Sequence, residues 1–61
     1  MYNYNVEFVL EAMVIITHVS FDEPDLSDEF IIEEARQNLL TNYKIDPETL
    51  YLQDVIVHEE N

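Results

Sequence analysis

The side chains best equipped for chemistry in this chain are His18 and Ser20, two residues apart. A serine nucleophile needs a histidine to take its proton and a pair of donors to hold the oxyanion. The spacing puts both side chains on one face of an extended segment, but no loop suited to an oxyanion hole accompanies them. A metal site is the next arrangement to weigh. If the strands carrying His18 and His58 ran parallel, both imidazoles would fall near strand C-terminal ends, with Asp22, Glu59 and Glu60 close enough in sequence to complete a ligand set. Two exposed histidines at strand ends is the plainer reading, and no metal is expected. Asp22, Glu23, Asp25 and Asp28 offer oxygens to calcium but lack the glycine and the spacing of an EF-hand loop.

Composition removes further classes. There is no glycine, so phosphate-cradling and dinucleotide loops cannot be built. There is no cysteine, hence no disulfide and no thiolate ligand, which fits an intracellular protein. No cofactor is expected, and an enzyme is the least favoured reading. Fourteen Asp and Glu stand against two Lys and Arg, a formal net charge of −12, which argues against direct contact with a phosphate backbone. At 48% apolar residues the chain is nevertheless too hydrophobic for a disordered acidic tail. Self-repulsion should weaken the fold at low ionic strength, so moderate salt is expected to raise its thermal midpoint.

What remains is the acid itself. Asp22, Glu23, Asp25, Asp28, Glu29, Glu33 and Glu34 place seven carboxylates within residues 22–34 and no cation among them. On a loop running into a helix they form one negative ridge, extended by Glu59 and Glu60 if the C-terminus lies at the same end. Such a ridge can dock on a basic protein surface, including one that binds nucleic acid, whose own charge runs at about one per 1.7 Å of duplex axis. Phe30 sits inside the ridge, either folded back on Phe21 and Leu26 or exposed as an anchor. In size, charge and lack of reactive motifs the chain resembles, as a class only, the short acidic regulators of phages and mobile elements, nucleic-acid mimics among them. The competing function is a structural or accessory subunit acting through homo-oligomerisation or strand pairing.

The elements that position these residues follow from hydrophobic period. Every even position from Tyr2 to Ile16 is apolar, a strand signature, while the odd positions turn mostly apolar from Met13 through Ile15 to Val19. One strand over residues 2–19 would be roughly 59 Å long. A domain of this length has a radius of gyration near 10 Å, about a sixth of that. Either the stretch folds as a hairpin near Glu11 or it reaches out to another chain, and the absence of any glycine favours the long strand. Asp22-Glu23-Pro24-Asp25 is a loop. Ser27 then caps a helix from Asp28, with Leu26 and Ile31 at staple spacing and Ile31, Ile32, Ala35, Leu39, Leu40 and Tyr43 on one side. The helix should end near Asn42 to Lys44, with asparagine left-handed, and Arg36 should pair with Glu33. A turn at Asp46-Pro47 leads to a last strand, with Leu50, Leu52 and Ile56 on one face and Tyr51, Val55 and Val57 on the other. Residues 58–61 form a polar, frayed end.

The expected fold is therefore α+β: one small acidic domain over residues 1–61, a β-α-β unit whose long N-terminal strand is straight, bent or folded as a hairpin, with a parallel, right-handed crossover if its strands share a sheet. The alternative is ββαβ, a three-stranded sheet with one helix. A parallel pair needs cover on both faces, so a homodimer is expected, with Met13, Ile15 and Val19 at its interface. Nothing reads as a signal peptide or membrane span, because Glu7 and Glu11 interrupt the apolar stretch and no basic residue precedes it. A cytoplasmic protein is expected.

Overall fold

The computed structural model describes residues 1–60. Its first two elements, β1 (Tyr2–Leu10) and β2 (Val14–Phe21), form a hairpin. The loop between them closes with the Leu10 N–H donating to the Met13 carbonyl at 2.8 Å. None of its residues has positive φ. A connection of this length can turn through ordinary backbone conformations, so the missing glycine is no obstacle. Of the two readings of residues 2–19, one long strand or a hairpin near Glu11, the structure has the hairpin, and the long dimension of the molecule is 32 Å.

The hairpin also exchanges parity. Tyr4 opposes Val19, Val6 opposes Thr17 and Phe8 opposes Ile15, so even positions of β1 share a face with odd positions of β2. That face is the core: Tyr4, Val6, Phe8 and Leu10 are buried, and Ile15, Val19 and Phe21 pack against them. Ile15 and Val19 are therefore partly covered within the chain, packed against its own core, where a face without cover was expected. Met13 lies in the turn and is exposed.

The third strand, β3 (Leu52–Glu60), runs antiparallel on the other side of β1, giving the order β2-β1-β3. This is the three-stranded ββαβ alternative. Both outer strands oppose β1, so they run in the same direction without touching. The β-α-β crossover exists, but its two strands are split by β1. An antiparallel sheet can keep one face in water, so the requirement for a second copy that rested on a parallel pair falls away. A bulge opposite Val9 and Leu10 skips Gln53, pairing Val9 with Asp54 and Leu10 with Leu52. The extra residue brings Leu52 to the core beside Val55 and Val57 and leaves Ile56 on the open face, where alternation alone had put Leu52 with Ile56. The strand runs through Glu60 rather than fraying at His58, while Asn61 lies outside the described residues.

The crossover is carried by α1 (Asp28–Asn38), continued by a π-helical turn over Leu39–Tyr43. Ser27 caps it as expected, its hydroxyl accepting from the Phe30 N–H at 3.3 Å. Ile31, Ala35 and Leu39 are buried on the sheet. Leu40 and Tyr43 are exposed, because the wider π turn no longer follows the 100° wheel that placed them inward. The left-handed cap expected at Asn42 falls on Lys44, with φ 58° and ψ 32° and its N–H on the Leu39 carbonyl. The Asp46 carboxylate then accepts from the Glu48 N–H at 3.1 Å and starts a 3₁₀ turn over Pro47–Leu50.

Candidate acidic interface

Helical geometry divides α1 into a centre and two flanks. With Ile31 and Ala35 inward, Phe30, Glu34 and Asn38 lie one turn apart along one flank, and Asp28, Ile32 and Arg36 along the other. The first flank runs along β2: the Phe30 and Phe21 ring centroids are 5.5 Å apart, and Asn38 Nδ2 donates to the Thr17 hydroxyl at 2.7 Å. The second reaches the segment before β3, where Arg36 meets Glu48 at 3.1 Å. Phe30 is folded back on Phe21 and remains 45% exposed.

The acidic segment occupies the loop after β2 and the first turns of α1. Asp22, Glu23, Asp25, Asp28, Glu29, Glu33 and Glu34 are all exposed. Asp25 takes a left-handed conformation, φ 60°, where a short polar side chain is tolerated. Among the described residues, Glu33 is the one member of the ridge held by a cation: Arg36 bonds it at 2.8 Å, as expected from their spacing. Hydrogen bonds from Arg36 and Gln37 hold the Glu33 carboxyl below the ordinary glutamate range, and the same bond raises Arg36. The other six carboxylates have no side-chain partner among the described residues.

Glu59 joins the ridge. It lines a pocket with Asp25, Asp28, Tyr2 and Tyr4, so the end of β3 does lie beside the loop. Burial first, then the charges of Glu59 and Asp25, push the Tyr4 hydroxyl above the ordinary tyrosine range. Glu60 belongs to the opposite face, where its carboxylate accepts from the Asn5 amide. The Tyr4 hydroxyl was not singled out in the sequence. Its place among three carboxylates depends on register, which periodicity alone does not fix.

The histidines lie together in an unexpected way. His18 and His58 flank Asn5 from either side, one row across the open face of the sheet. His58 Nε2 is 3.3 Å from the Glu7 carboxylate. Of the candidate co-ligands Asp22, Glu59 and Glu60, the first two are turned elsewhere and Glu60 lies on the histidines' face with its carboxylate on the Asn5 amide, and among the described residues no group of three or more side chains is arranged to hold a metal ion. Ser20 contacts Asn3 at 2.6 Å, not an imidazole. Nor is any helix among the described residues long and apolar enough to cross a membrane.

Compared with family models, curated proteins and solved structures, the chain finds no match in any of the three.

Proposed function

We propose that this is a non-enzymatic acidic binding or inhibitor protein that docks its negative ridge on a basic protein surface, such as one that otherwise holds nucleic acid. One observation carries the reading: half of the fourteen carboxylates fall on one loop and the helix it leads into. Asp22, Glu23, Asp25, Asp28, Glu29 and Glu59 gather without a cation around the start of α1, and Glu34 follows further along the helix. The chain's one arginine is engaged by Glu33 and Glu48, and its one lysine lies past the far end of the helix, donating to the Thr41 carbonyl. Clustered charge of one sign steers encounter with the opposite sign and makes binding salt-sensitive. Carboxylates serving only solubility would be as effective scattered over the surface.

The test is capture from a lysate by immobilised wild type and by the variant carrying Asp25→Lys, Asp28→Lys and Glu29→Lys. Basic proteins retained at low salt, released at high salt and absent from the variant support the reading. Capture that survives both salt and charge reversal contradicts it.

A further inference from the structure

The two edges of the sheet are unlike. The β3 edge is guarded in three ways: a bulge, the carboxylates of Asp54, Glu59 and Glu60, and the Asp54 side chain, which accepts from the Val55 N–H at 2.9 Å. The other edge, β2, has none of these. Its sequence, Val-Ile-Ile-Thr-His-Val-Ser-Phe, is the one strand without Asp, Glu, Lys or Arg. The Leu10 to Met13 bond sets the phase of the hairpin ladder. In that phase the backbone groups of Ile15, Thr17 and Val19 face β1, and those of Val14, Ile16, His18 and Ser20 face outward.

Beside this open edge the helix flank leaves two apolar clefts. One, of about 340 Å³, lies between β2 and the end of the helix, lined by Ile15, Thr17, Asn38, Leu39, Tyr43 and Ile45. The other, of about 230 Å³, lies between Phe21, Leu26 and Phe30 and is rimmed by Asp22 and Glu23. From Thr17 to Phe21 is roughly 13 Å along a strand. Glu34, exposed and without a partner among the described residues, stands midway between Phe30 and Asn38 on the helix flank above.

We propose that β2 is a docking edge for an extended segment of a partner, which adds a fourth strand carrying apolar side chains at positions i and i+4 and Lys or Arg at i+2. The two apolar side chains enter the clefts and the cation meets Glu34, while main-chain hydrogen bonds to Ile16 and His18 give the register. This deepens the reading above and rests on it in one respect, the basic character of the partner. A second copy is the poorer occupant. Pairing β2 with β2 so that the helices share a face would set Glu34 against Glu34 and bring together two chains of charge −12.

The probe is a seven-residue peptide of threonine with valine at its second and sixth positions and lysine at its fourth. It is titrated into ¹⁵N-labelled protein, with amide exchange followed residue by residue. The expected result is at least tenfold slower exchange at Ile16 and His18, and at least tenfold weaker binding by the fully N-methylated peptide. Replacing the lysine by glutamate should abolish binding, and Glu34→Lys should restore it for that peptide. His18→Pro, which removes an outward N–H and no ladder bond, should weaken the lysine peptide at least tenfold. If that variant does not fold, the N-methylated peptide decides, because it leaves the protein untouched. Equal binding of the N-methylated peptide, failure of the charge swap, or no binding at all overturns the proposal. So does a reversible dimer in sedimentation that protects the same amides, since the occupant would then be a second copy. Octalysine separates the two readings: loss of its binding on reversal of Asp25, Asp28 and Glu29 upholds the acidic ridge even where the edge proposal has failed.

Discussion

Asn38 donates to Thr17 at 2.7 Å, joining the helix flank to the outermost strand of the sheet. Thr17 is the one buried polar side chain among the described residues, 4% exposed, and the bond satisfies it while holding the helix over the β2 edge. Losing one partner of such a bond leaves a desolvated hydroxyl. Asn38→Ala is therefore expected to cost about 1–2 kcal/mol in urea unfolding. Adding Thr17→Val should recover part of the loss, because removing both partners is nearly neutral. Additive losses in the double variant would show that the two side chains are not coupled.

Arg36 fastens Glu33 and Glu48 at once, on the flank away from β2. Since the folded pKa of Glu33 is depressed, its contribution is present above the unfolded carboxylate range and is lost as pH falls through the folded value. Arg36→Gln should lower the melting temperature by about a few degrees at neutral pH, an effect that shrinks with added salt and disappears in acid. A deficit that persists unchanged at low pH would assign the role of Arg36 to packing.

Tyr4 is buried beneath the ridge with Glu59, Asp25 and Asp28 around it. Its raised pKa means that the fold favours the protonated phenol, so stability falls as pH rises through the folded value. In an absorbance titration of tyrosinate, Tyr4→Phe should remove a component that lags above the ordinary range. Loss of a component with an ordinary tyrosine midpoint would show that neither burial nor the neighbouring carboxylates hold the proton.

Phe30 separates folding from docking. Its ring rests on Phe21, so Phe30→Ala is expected to cost about 1 kcal/mol of stability. Octalysine binding through the carboxylates should survive at temperatures where the variant is folded, whereas the strand peptide, whose cleft Phe30 lines, should bind more weakly. Lost octalysine binding with unchanged stability would make Phe30 an anchor of the acidic interface instead.

The helix was legible in the sequence because its signals are local. Ser27, the acidic first turn, the Arg36–Glu33 spacing and the Asp46 cap each act within four residues, and each stands where expected. The sheet was less so, because its decisive features leave a weak local mark. The Leu10–Met13 turn needs no glycine and carries no turn signature, and its length reverses which residues of β2 face inward. The bulge at Gln53 does the same for Leu52. Both replace one strand period by another in opposite phase, and apolar residues on both faces, such as Ile15 beside Ile16 and Val55 beside Ile56, hide the change. The ridge was visible as composition, whereas its extension through Glu59 and the bare edge of β2 required the strand order.

The most direct test of the acidic docking account is the salt dependence of binding to whichever basic protein is captured, measured for wild type and for the Asp25, Asp28 and Glu29 reversal. The account predicts an affinity that falls steeply as salt rises, with no measurable binding by the reversed variant. An affinity that is flat in salt and equal for both proteins would contradict it.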